Sequence, residues 1–180
     1  MMRLLCSLMM FWCCAAWSDD YRSLVYETAT EFNINPLVFH SLITQESGDP
    51  KRGLKLNAYA INIAGISKYP NSRLEAYGLI LDAIGDGHDS VGVGLGQIEW
   101  RYHSEKFMSL WDALEPKKNV EVAARYLKEM VRMCGGNVAC GVSAYHSMTK
   151  PLGKKYLALV SDKCRRLYNQ EKCNEIGLVK

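Results

Sequence analysis

The chain reads as a single, mainly helical α+β domain with a small irregular or β lobe. Its 180 residues suit one sizeable core. Apolar residues recur with helical period along most of its length, and residues 51–71 show it least. Apolar residues make up 48% and charged residues 23%, a globular balance that argues against wholesale disorder. The formal charge of +3 is too small to suggest nucleic-acid binding.

Residues 1–18 have the layout of a secretory signal, leaving 19–180 as the domain. Arg3 supplies the positive start, Leu4 to Ala16 is uncharged and mostly apolar, and Ala15, Ala16 and Ser18 are small. Cleavage is expected after Ser18, with Ala16 at −3; cleavage after Ala16 is the alternative. The apolar run is too short to span a bilayer comfortably, so no stable membrane span is expected. Lipidation at Cys13 or Cys14 is disfavoured by the bulky Phe11 and Trp12 before them. A periplasmic or secreted location follows. Beyond the signal remain Cys134, Cys140, Cys164 and Cys173. An even number in an exported chain suggests two disulfides. Three pairings are open; Cys134–Cys140 with Cys164–Cys173 is the local one. The competing zinc reading lacks a C-x₂-C pair, and the four histidines are scattered. No metal or cofactor is implied.

Residues Tyr21 to Phe32 carry Leu24, Val25, Thr28 and Phe32 at helical spacing. Asn35 is a good N-cap and Pro36 a good first residue for a helix running to Ser47, which Gly48-Asp49-Pro50 stops. In the less helical stretch, Tyr59–Ile63 and Ile66–Tyr69 flank Ala64-Gly65, which suits a small hairpin. Ser72-Arg73-Leu74-Glu75 forms a capping box opening a helix with Leu74, Tyr77, Leu81 and Ile84, ended by Gly85. Gly85 to Gly96 holds five glycines and reads as a loop. It matches neither a phosphate loop nor a dinucleotide motif. Helices are expected over Asn119–Met133, Val138–Ser147 and Gly153–Leu167.

On the Pro36–Ser47 helix, Phe39, Leu42, Ile43 and Glu46 share one face. Glu46 thus prolongs an apolar stripe, and it sits at the negative end of the helix dipole. Both circumstances disfavour its carboxylate and raise its pKa. A carboxyl still protonated near neutrality is what a glycosidic oxygen needs as general acid.

Glu46-Ser47, Gly94-Leu95-Gly96-Gln97-Ile98 and Ala144-Tyr145 follow one another in order. This set resembles the soluble lytic transglycosylase family, relatives of goose-type lysozyme, whose pattern is Glu-Ser, Gly-Leu-Met-Gln with an aliphatic residue, and Ala-Tyr-Asn. Gln45-Glu46-Ser47-Gly48 and Tyr145-His146-Ser147 look closest to the branch found with type IV secretion, conjugation and pilus systems. The resemblance covers about Asn33 to Ser147. It implies a lysozyme-like fold with its cleft between the Glu46 helix and the Gly94–Ile98 turn. The implied substrate is the glycan strand of peptidoglycan, and machinery of such an apparatus is the implied partner. Glu46 would be the catalytic acid and then base. Ser47 would hold Glu46 or contact the reacting acetamide, Gln97 would contact substrate, and Gly94 and Gly96 would let the turn approach the sugar. Tyr145 would aim its hydroxyl at Glu46.

Three positions depart from the pattern. Gly96 replaces methionine, which would remove bulk from the cleft floor; His146 replaces the commoner asparagine; and Glu99 sits where the branch often has asparagine. Two other readings stay open, a goose-type muramidase and a non-catalytic wall-binding assembly protein. Ordinary glycosidases need a second carboxylate, for which Asp49, Asp86, Asp89 and Glu99 are candidates. Trp100, Tyr102 and Trp111 are candidates for stacking on sugar rings.

Overall fold

A computed structural model describes residues 21–178; the signal segment expected over 1–18 lies outside them. The domain is a helical body with a small β lobe, the lysozyme-like α+β architecture expected.

The body begins with α1 (Arg22–Glu31) and α2 (Pro36–Ser47). Asn35 caps α2 as expected: its Oδ1 accepts from the backbone N–H of Leu37 at 2.9 Å and of Val38 at 3.4 Å. After the lobe the chain returns through α6 (Pro116–Met133), α7 (Val138–His146), α8 (Lys150–Leu167) and α9 (Gln170–Glu175). Helix α6 starts a turn earlier than the periodicity predicts, because Glu115 caps Lys118 N–H at 2.6 Å ahead of Pro116. Phe39, Leu42 and Ile43 of α2, Leu127 of α6, Val142 of α7 and Val160 of α8 meet in one buried core. The disulfides take the local pairing, Cys134–Cys140 and Cys164–Cys173. The first ties the end of α6 to α7, and the second ties α8 to α9.

The lobe has its own smaller core. Strands β1 (Gly48–Asp49) and β2 (Lys55–Leu56) pair directly after α2. A second antiparallel sheet runs β4-β3-β5-β6, from β3 (Ile61–Ile63), β4 (Ile66–Lys68), β5 (Val91–Val93) and β6 (Ile98–Glu99). The expected hairpin is β3–β4, with Ala64 and Gly65 turning at φ +50° and +88°. Strand β5 corrects the reading of Gly85–Gly96 as loop throughout. Val91 and Val93 are buried beside β3, while Gly92 leaves room for the Gln97 side chain, whose Oε1 would lie 2.8 Å from a Cβ there. Glycine hid the strand's alternation.

Ala76, Ile80 and Ala83 of α3 (Arg73–Gly85) cover the sheet, together with Leu110 and Ala113 of α5 (Leu110–Ala113). The helix is capped as expected, Ser72 Oγ accepting from Glu75 N–H at 3.1 Å. Ile80 lies buried on the side that covers the sheet, whereas Leu74, Leu81 and Ile84 face the other way and are exposed. The short helix α4 (Trp100–His103) follows β6 and borders the cleft.

Candidate active site

A cleft of about 300 Å³ opens between body and lobe. Glu46 enters it from the last turn of α2, Gln97, Ile98 and Glu99 from the β6 region, and Tyr145 from α7. Tyr102 and His103 of α4 and Tyr126 of α6 line it further. His103 packs on Tyr126 at 4.8 Å between ring centroids, and Tyr126 on Tyr145 at 5.0 Å. These rings make an aromatic wall along the cleft.

Glu46 is the ionisable centre of this cleft. By surface area it is only partly covered, because its side chain opens on the cavity. Lost hydration nonetheless dominates its ionisation: burial pushes its carboxyl up to about 7, against the opposing effect of a hydrogen bond from Tyr156. Tyr156 of α8, 4% exposed, donates its hydroxyl hydrogen bond to Glu46 Oε1. Burial and the nearby Glu46 raise the Tyr156 and Tyr145 pKa values well above the ordinary phenol range, so both remain donors.

Tyr156 takes the place expected of Tyr145. The Tyr145 hydroxyl lies beside Glu46 but donates to the Gly96 carbonyl at 2.8 Å, so it braces the turn instead of the acid. Tyr156 escaped the sequence reading because it sits beyond the three motifs. Its signal was its place on the stripe Gly153–Tyr156–Val160–Cys164, all buried. A tyrosine on such a stripe needs a partner for its hydroxyl. His146 stacks flat on Tyr156, centroids 4.7 Å apart and planes 6° apart, and burial lowers its pKa, which favours the neutral ring.

Ser47 is fully buried and donates to the Ile43 carbonyl at 3.0 Å, a bond that secures the end of α2 under Glu46 and uses the hydroxyl's one proton. Gln97 sits at φ +46°, an unfavourable backbone region for glutamine. Its Nε2 donates to the Ala60 and Gly94 carbonyls, both at 2.9 Å, which hold the turn against that strain. Ile98, 3% exposed, pairs with Val93 and backs the cleft.

The two glycines of the turn are set by packing against α6. At Gly94, φ is +75° and a Cβ would meet the Asn119 amide at 2.6 Å; at Gly96 it would meet the Ala123 Cβ at 2.5 Å. Both face α6, so they let the turn approach that helix closely. A Cβ at Gly96 would also come within 3.2 Å of the Tyr145 hydroxyl, which lines the cleft.

Asn119, unnoticed in the sequence except as a helix start, is the clamp. Its Oδ1 accepts from Gly96 N–H at 2.7 Å, and its Nδ2 donates to Val93 and Ala113 carbonyls, both at 2.9 Å. It is fully buried. Asn119→Ala strands three backbone groups at once and is expected to cost about 3 kcal/mol or more, read as a lower denaturant midpoint.

Among the candidate second carboxylates, Glu99 alone lines the cleft. Its Oε1 accepts from Val91 N–H at 2.8 Å and its Oε2 from Ser90 Oγ at 3.2 Å. Asp49 caps Lys51 N–H, Asp86 is exposed at the end of α3, and Asp89 pairs with Arg101. Of the aromatic candidates, Tyr102 reaches the cleft, whereas Trp100 stacks on Phe107 and Trp111 meets Tyr77 edge-on. Among the described residues, no group of three or more His, Cys, Asp or Glu is arranged to hold a metal, and no helix is long and apolar enough to cross a membrane.

A helical body, a β lobe and one desolvated acid in the cleft between them define a lysozyme-like domain. Residues 23–158 match the Transglycosylase SLT domain family, and the chain belongs to it. The family's activity is lytic transglycosylation of peptidoglycan. Neither a curated protein nor a solved structure matches the chain significantly.

Proposed function

We propose that the protein cleaves the β-1,4 bond between N-acetylmuramic acid and N-acetylglucosamine without consuming water. The observation that carries this reading is a carboxyl whose pKa lies near 7, held by Tyr156 in a cleft of sugar size. Protonated Glu46 delivers its proton to the glycosidic oxygen as the bond to the muramic C1 breaks. The resulting carboxylate takes the proton of the muramic C6 hydroxyl while that oxygen bonds to C1. A 1,6-anhydro ring closes and Glu46 is again protonated. A pKa near neutrality lets one group serve as acid and then base. The family's substrate and the motif resemblance support this route.

One observation favours hydrolysis as a second reading. Glu99 shares the cleft with Glu46, and two carboxylates are what a water-consuming glycosidase uses. Both its oxygens are already engaged at the start of β5, which suits a wall group better than a mobile base. Mass spectrometry of digested peptidoglycan decides: anhydro ends are expected, and reducing ends throughout would establish the muramidase.

The biological task we propose is local opening of the wall for a secretion, conjugation or pilus apparatus, after export to the periplasm or beyond. Its support is the resemblance carried by Gln45–Gly48 and Tyr145–Ser147.

A further inference from the structure

Helix α3 carries more apolar surface than the lobe covers. Beyond its buried stripe, Leu74 is 71% exposed, Leu81 47% and Ile84 41%. A helix apolar on two sides leaves one side without a partner. Between the two leucines lies Gly78, where a Cβ would meet nothing within 4 Å. The seam therefore has an open notch at its middle. Its flank is acidic: Glu75 and Asp82 stand one turn to either side of Gly78, and both are exposed. Glu75 accepts a backbone hydrogen bond from Asn71, and neither carboxylate is in an ion pair among the described residues.

Helix α8 presents the complementary surface. Leu152 and Leu159 are 52% and 41% exposed. Lys155 lies between them, and Lys163 continues the stripe a turn further on. Neither lysine is in an ion pair among the described residues. On both helices the leucines are seven residues apart, about 10 Å along the axis. Spacing and charge thus match across two different faces of the same chain.

We infer that the α3 face of one copy docks on the α8 face of a second copy. Leu152 and Leu159 pack beside Leu74 and Leu81. The Lys155 stem occupies the Gly78 notch, with its ammonium between Glu75 and Asp82. The contact is heterologous, so each added copy leaves one face of each kind open and the assembly grows head to tail. None of these residues lines the Glu46 cleft.

Analytical ultracentrifugation of the purified protein at concentrations up to about 1 mM tests this. The average mass is expected to rise with concentration beyond that of a dimer. Leu81→Glu and Leu159→Glu each disable one face and weaken association at least about tenfold. Both sites are exposed, so fold by circular dichroism and lytic activity should match the parent. Mixed one to one, the two variants should form a dimer that grows no further, because each of the two remaining faces has a carboxylate where its packing leucine stood. Gly78→Gln fills the notch at a site where a Cβ meets nothing, and should weaken association while leaving the helix as stable or more so. A parent that stays monomeric, or a mixture that stays monomeric, overturns the proposal. So does association lost in Leu81→Glu but kept in Leu159→Glu, which would mean an α3–α3 pair instead.

Discussion

Glu46→Gln is expected to cut lytic activity by about a thousandfold or more while making the protein more stable at alkaline pH. General acid–base assistance is typically worth about 10²–10⁴ in rate, and here one carboxyl serves both halves of the reaction. Glutamine keeps the shape and the capacity to accept from Tyr156, so the fold should persist. The stability gain follows from linkage. The unfolded chain releases the Glu46 proton near the ordinary value of 4.5, whereas the folded protein keeps it to about 7. Between those pH values the folded state binds more protons, so its stability falls as pH rises through the window and levels off above it. The difference amounts to about 3 kcal/mol, and glutamine, which does not titrate, escapes it. Urea unfolding of parent and variant at pH 4 and pH 8, beside turbidity assays on cell walls, checks both halves. A variant that lyses walls at the parental rate ends the assignment of Glu46. Equal pH slopes in the two unfolding series would show that its carboxyl is not desolvated.

The part of the site written locally was legible in the sequence. Asn35-Pro36 sets the start of α2, and helical spacing from Phe39 then places Glu46 on the buried face. Both facts need only a dozen neighbouring residues. The local disulfide pairing was among the open choices for the same reason, since each pair closes a short loop. Contacts between distant elements were not legible. Nothing near residue 119 announces that its amide clamps a turn more than twenty residues earlier, and nothing near residue 156 announces a carboxyl on α2. The glycines misled in an instructive way. The spacing of Gly94 and Gly96 suggests room for a ligand, yet a Cβ on them would meet Asn119 and Ala123. A glycine reports that backbone comes close to something, and only the fold says to what. Helix α3 shows the same limit for hydrophobicity. Leu74, Leu81 and Ile84 look like part of the core stripe, yet Ala76, Ile80 and Ala83 make the close approach to the sheet and those three are left outside.

Tyr156→Phe should separate the positioning of the acid from the acid itself. The substitution keeps the buried ring and its stacking on His146 and removes only the hydroxyl that donates to Glu46 Oε1. That bond favours the ionised carboxyl, so its loss raises the Glu46 pKa further above about 7. The alkaline limb of the activity profile should therefore move to higher pH. The rate at the optimum should fall about tenfold to a hundredfold, because a carboxyl without its anchor samples more orientations and, with its pKa raised, gives up its proton to the glycosidic oxygen less readily. Stability should divide by pH in the same sense. Above pH 7 the variant must bury a carboxylate without its donor and should lose about 2 kcal/mol, whereas at pH 4, with the carboxyl protonated in both proteins, the loss should be smaller. A merely structural tyrosine would lower stability equally at both pH values and leave the profile where it was. An unmoved alkaline limb in Tyr156→Phe would therefore remove Tyr156 from the mechanism while leaving Glu46 in it.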